Sequence, residues 1–129
     1  MYKKNESAKI NEMNLLDHEV VDFELVDQCL IVKVKEDLDH YVALKIREKS
    51  DKLIERGYVK NIIFDFEHSS FMDSSGIGVI MGRYKQVIFS GGKVAVTNVN
   101  EGVDRIFHLS GLYKIIKKYK TIKDAIQCL

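Results

Sequence analysis

A chain of 129 residues with 46% apolar and 30% charged side chains is long enough for one compact core and short for two. Twenty basic residues against nineteen acidic ones leave a net charge of +1, so no global field draws in nucleic acid or an anionic membrane surface. No apolar run approaches the roughly 20 residues of a membrane span, and the start "MYKKNESAKINEMN" lacks the apolar stretch of a secretory signal, so the expected location is the cytoplasm.

Residues 1–18 are polar and aperiodic and read as a flexible leader, with the folded domain expected over 19–129. "VVDFELV" and "CLIVKVK", separated by "DQ", predict a β-hairpin. In the second run Leu30, Val32 and Val34 alternate with Ile31, Lys33 and Lys35, the pattern of a half-buried strand. Asp39 stands where a helix N-cap should, before a helix with Val42, Ala43, Ile46, Leu53 and Ile54 on one face and Gly57 as its stop. "NIIFDF" predicts a buried strand. Beyond the segment "FMDSSGIGVIMGRYKQ" come strand "KVAVTN", a helix in "EGVDRIFHLSG", strand "KIIK" and a terminal helix in "TIKDAIQCL". An initial hairpin followed by alternating helices and strands predicts an α/β fold, a mixed central sheet with helices packed on it. There is no proline, so Gly, Asn and Asp make the turns. Cys29 and Cys128 form neither metal-ligand spacing nor a disulfide framework.

The segment from Phe71 to Gln86 places two hydroxyls at the mouth of a helix and two glycines on its body. At about 100° per residue, Ile77, Ile80, Met81, Tyr84, Val87 and Ile88 share the face expected to pack on the sheet. Ser75, Gly78, Val79, Gly82 and Gln86 share the opposite face, which is small and uncharged although each interior glycine costs roughly 1 kcal/mol relative to alanine. That face suits a protein partner that approaches closely, or else a neighbouring element of the same chain. Asp73 or Ser74 caps the helix. A phosphate on Ser74 would bring about −1.5 to −2 charges to the edge of the small face without opposing the helix dipole.

"SFMDSSGIGVIMGRYKQ", with "DLDHYVA" upstream and "IFHLSGLYKIIK" downstream, closely resembles the anti-anti-sigma factors (anti-sigma factor antagonists) of the sporulation type, whose single domain is the STAS fold; the similarity covers roughly residues 20–129. The resemblance implies that Ser74, the first serine of Asp73-Ser74-Ser75-Gly76, is phosphorylated by the partner anti-sigma factor, itself a serine kinase, and that a phosphoserine phosphatase reverses this. It also implies that the unphosphorylated chain, a monomer when free, binds the anti-sigma factor and releases the sigma factor. Asp39, Asp73, Ser75, Gly76, Gly78, Val79 and Gly82 are the residues expected to meet the partner. Where the family usually has Gly-Glu-Leu-Asp before the first helix, this chain has Glu36-Asp37-Leu38-Asp39, without the glycine.

Other classes fit less well. Ser74, His40 and Asp39 supply the residue types of a hydrolase triad, but Ser-Gly-Ile-Gly is not the G-x-S-x-G elbow, so the chain is not expected to be an enzyme. His18, His68 and His108 are too scattered for a metal site, and no G-x-x-x-x-G-K-[ST] phosphate loop is present, so no cofactor is expected. The alternatives are a STAS subunit of a larger signalling assembly and a STAS module for a nucleotide or small ligand, the latter with a phosphate at the helix mouth near Ser74.

Overall fold

The computed structural model describes residues 20–129. The expected leader, 1–18, lies outside the described residues. Strands β1 (Val21–Val26) and β2 (Cys29–Val34) form the hairpin, joined by Asp27 and Gln28 at φ 48° and 68°, the left-handed pair that a two-residue hairpin turn requires. β3 (Asn61–Asp65), β4 (Val94–Thr97) and β5 (Lys117–Tyr119) continue one sheet in the order β1-β2-β3-β4-β5, each parallel to its predecessor from β2 onward. Helices α1 (His40–Glu55), α2 (Ser74–Ile88) and α3 (Glu101–Ser110) lie on the crossovers, and α4 (Ile122–Cys128) follows the last strand. The hairpin, the mixed sheet and the alternation expected from the sequence are all present.

The helices on the crossovers pack on one face of the sheet, where Leu30, Val32, Ile62, Phe64, Val94 and Val96 meet Val42, Ile46, Ile80, Val87, Val103 and Phe107. On the other face Ala125 of α4 packs with Cys29, Ile31, Ile63 and Ala95. Covering both faces explains why β3 and β4 are apolar without alternation, and why Ile31, expected at a half-buried position, is 2% exposed. Burial pushes the Cys29 thiol up to about 11, which leaves it a small apolar residue rather than a reactive one.

Two expectations need correction. The strand expected at "KIIK" starts at its last residue: Gly111, at φ 77°, ends α3 and turns the chain into a 3-10 turn over Leu112–Lys114, so Ile116 is buried as a plug rather than paired in the ladder. On α2 the buried residues are Gly76, Val79, Ile80, Arg83 and Val87, whereas Met81 and Ile88 are 37% and 41% exposed. The helix packs against α1 as well as against the sheet. Its buried arc therefore swings toward α1, taking Val79 inward from the face where it was expected.

The start of α2 is tied to the start of α1. Leu38 and Met72 form an isolated parallel bridge, with the Leu38 N–H donating to the Phe71 carbonyl at 2.9 Å and the Asp73 N–H to the Leu38 carbonyl at 3.3 Å. Beneath it Gly76 has no room for a side chain: a Cβ there would stand 2.9 Å from Leu38 Cγ and 3.1 Å from Met72 Cβ. Gly76→Ala is expected to lower stability by about 1–3 kcal/mol through overpacking, measured by denaturant titration. An unchanged midpoint would mean that the bridge has slack.

Candidate functional site: paired helix starts and the groove below them

Because the bridge pairs Leu38 with Met72, the next residues, Asp39 and Asp73, stand side by side as the N-caps of α1 and α2. The Asp39 carboxylate accepts from the Val42 N–H at 3.0 Å and the Asp73 carboxylate from the Ser75 N–H at 2.8 Å. Each satisfies a donor that the first helical turn cannot pair internally. The loop leading to Asp73 is held from both sides, by Asn100 Nδ2 donating to the Ser69 carbonyl and by the Ser70 N–H donating to Asp37 Oδ1 at 3.3 Å. Asp37 and Leu38 thus anchor this junction without the glycine usual two residues before Leu38 in the resembling family.

With Asp73 as the cap, the two serines take different positions. Ser74 is the first residue of α2 and is exposed, its hydroxyl not spent on capping. Ser75 is half-buried and lines a groove of about 460 Å³ between α1 and α2. Gly78, Gly82 and Arg83 of α2 and His40 and Arg47 of α1 also line it. Among the described residues a Cβ at Gly78 or Gly82 would meet nothing within 4 Å, so no described element needs the absence of a side chain there. Of the expected partner-facing residues, the structure sets Asp39 and Asp73 at the paired helix starts and Ser75, Gly78 and Gly82 along the groove that runs from there between α1 and α2. Val79 lines the groove but is 6% exposed, and Gly76 is turned inward under Leu38 and Met72. Tyr41 and Phe71, about half exposed, add apolar surface next to the two caps.

Sequence reasoning missed the ionic floor of this groove. Arg83 is 5% exposed; its Nη2 pairs with Asp51 Oδ1 at 3.1 Å and its Nε donates to Gln86 Oε1 at 2.8 Å, while Gln86 Nε2 donates to the same Asp51 oxygen at 2.9 Å. Burial lowers the Arg83 pKa, Asp51 opposes that shift, and the nearby Arg47 charge adds to it. Arg83 and Gln86 are one turn apart on α2, and Asp51 answers them from α1, a cross-helix match that helical spacing alone does not reveal. His40 is exposed and makes no recorded contact with Ser74, and among the described residues no three His, Cys, Asp or Glu side chains gather as for a metal. No described helix is long and apolar enough to cross a membrane.

The family description "STAS domain" matches residues 21–125. The chain is 40% identical over 97 residues to an anti-sigma F factor antagonist of Paenibacillus polymyxa, covering 75% of this chain and 83% of that one. It is 34% identical to the anti-sigma-B factor antagonist of Bacillus subtilis, over 74% of this chain and 86% of that one. Among solved structures it is similar to the anti-sigma factor antagonist SpoIIAA in its unphosphorylated form, at 29% identity and TM-score 0.70 over 83% of this chain and 94% of that one. It is equally similar to the Bacillus cell fate determinant SpoIIAA in the phosphorylated form, at 30% identity and TM-score 0.69 over 83% of this chain and 96% of that one. These relatives are named as regulatory antagonists, not as enzymes.

The open space over Gly78 and Gly82 gives a direct expectation. Gly78→Ala and Gly82→Ala should leave the melting temperature equal or higher, by up to roughly 1 kcal/mol of stability each, because alanine is the better helix former. Destabilisation of either variant by thermal melting would mean that these glycines serve packing within the chain.

Proposed function

The chain belongs to the STAS domain family, among the anti-sigma factor antagonists, and from that membership we propose that its unphosphorylated form binds an anti-sigma factor, so that the sigma factor is released. Phosphorylation of Ser74 by that anti-sigma factor, acting as a serine kinase, breaks the complex, and a phosphatase restores it. The chain is the phosphoryl acceptor and supplies no catalytic group. The likeness to the anti-sigma F factor antagonist of Paenibacillus polymyxa, at 40% identity, and to SpoIIAA supports the sporulation type, working in the cytoplasm.

The observation that carries this reading is the exposure of Ser74 at the first position of α2, beside a groove walled by glycines. A kinase can reach the hydroxyl without unfolding the helix, because Asp73 rather than Ser74 holds the cap. Once added, a phosphate carries about −1.5 to −2 charges beside the Asp39 and Asp73 carboxylates, and a partner seated on that surface would have to desolvate the dianion. The helix dipole partly offsets the repulsion, so the modified chain stays folded. The near-equal likeness to the unphosphorylated and phosphorylated forms of SpoIIAA, TM-scores 0.70 and 0.69, supports a switch that leaves the fold in place.

Incubation of the chain with the anti-sigma factor encoded in the same genome and ATP is expected to add one phosphate, which peptide mass mapping should place on Ser74; Ser74→Ala should take none. A phosphate mapped to Ser75 would contradict the assignment. In titrations with the same anti-sigma factor, Gly82→Gln should stay folded and bind less tightly, whereas binding at wild-type strength would remove the groove from the docking surface.

A further inference from the structure

β5 ends the sheet on the side opposite β1 and pairs with β4 alone. The Asn98 N–H donates to the Lys120 carbonyl at 3.1 Å, so the main chain of Lys120, and of Lys118 two residues before it, is directed at β4. Intervening residues direct theirs the other way. The N–H and C=O groups of Lys117 and Tyr119 therefore face outward, and no main-chain group takes them among the described residues. An open groove of about 700 Å³ adjoins this strand, with His108, Tyr113, Lys114, Lys117 and Lys118 in its lining and no carboxylate among the lining residues. Asp104 takes up Lys118, whose Nζ is 2.9 Å from Oδ1, and accepts from the Tyr113 hydroxyl at 2.5 Å. Lys114, Lys117 and Lys120 are exposed and make no ion pair among the described residues.

A sheet edge with unpaired main-chain groups is a template for another strand. The lysines decide which strand. A second copy pairing through the same edge would set its own lysines against these, and like charges across a strand pair are destabilising. Successive side chains of a strand point to opposite faces, so Lys117 stands on one face of β5 and Lys118 on the other. We propose that the β5 edge takes an extended segment of another protein as a further strand, one with acidic residues at successive positions and an apolar residue to meet Ile115, which is 36% exposed. Main-chain hydrogen bonds to Lys117 and Tyr119 hold the segment, and the lysines select its charge. This surface is separate from the α1–α2 groove, since α1 packs against β1 at the other end of the sheet. It is therefore open to a partner whether or not Ser74 carries phosphate, and it does not rest on the function proposed above.

The full chain, labelled with nitrogen-15, would be titrated with the acetylated and amidated peptide Glu-Val-Glu-Glu-Val-Glu. Amide shifts are expected to concentrate on β5 and the groove beside it, and hydrogen exchange is expected to slow at the amides of Lys117 and Tyr119. The same peptide methylated on its backbone nitrogens keeps the charge and loses the donors, and is expected to bind about tenfold more weakly. Lys117 is exposed, so Lys117→Glu is expected to stay folded and to weaken binding of the unmodified peptide by about fivefold. Absence of binding, or equal binding of the methylated peptide, would overturn the proposal. So would a single-stranded RNA that produces the same shifts with the same affinity, because charge alone would then be read. Amides of Lys117 and Tyr119 already protected from exchange in the free chain would overturn it as well, since the edge would then be covered by this chain or by a second copy.

Discussion

The parallel bridge between Leu38 and Met72 is the constraint on which the rest of the site depends. The two residues belong to different strand-to-helix junctions, separated in sequence by the whole of α1 and β3. Main-chain hydrogen bonds on either side of the pair fix α1 and α2 at a common level, so their capping carboxylates, Asp39 and Asp73, lie next to each other. Gly76 allows the approach because any side chain there would strike both bridging residues. Without this junction Ser74 would be one more exposed serine at a helix start, with no second helix beside it to complete a docking surface.

Lower down, the same two helices are held by Arg83, Asp51 and Gln86. A buried ion pair is weak evidence for stability, since desolvation consumes much of the Coulombic gain. It does restrict how the helices pack, because removing the Asp51 carboxylate would leave the buried Arg83 guanidinium without its counter-charge. The groove between the helices thus has rigid walls, a small glycine face on one side and positive charge on its floor. Such a surface can hold one partner tightly and still be switched by charge at its rim, because the partner must exclude water from the place where the phosphate appears.

Most of the fold was legible in local patterns. The Asp27-Gln28 turn, the Asp39 cap, the Gly57 stop and the apolar runs of β3 and β4 each carry their own signal, and their order implies a parallel sheet joined by helices. The rotation of α2 was not legible. The helical pattern places Met81 and Ile88 inside and Val79 outside, whereas packing against α1 as well as the sheet selects Val79 and Arg83. A buried arginine reads as a solvated charge until its partner is known, and Asp51 lies on another helix. Gly76, Gly78 and Gly82 look alike in sequence, yet one clears a close approach within the chain and two open onto a groove. Only tertiary contacts separate those roles. Ser74 itself was recognisable from the Asp-Ser-Ser-Gly resemblance, while its division of labour with Asp73, one exposed and the other capping, came from the geometry.

The central claim is that phosphate on Ser74 changes the docking surface without changing the fold. Amide spectra of the nitrogen-15-labelled chain, recorded before and after phosphorylation by its anti-sigma factor, test it most directly. The account predicts shifts confined to the starts of α1 and α2, the loop that leads into Asp73 and the groove between the helices, with β3, β4 and α4 unmoved. Shifts spread through both faces of the sheet would contradict it, because the switch would then act by refolding the domain.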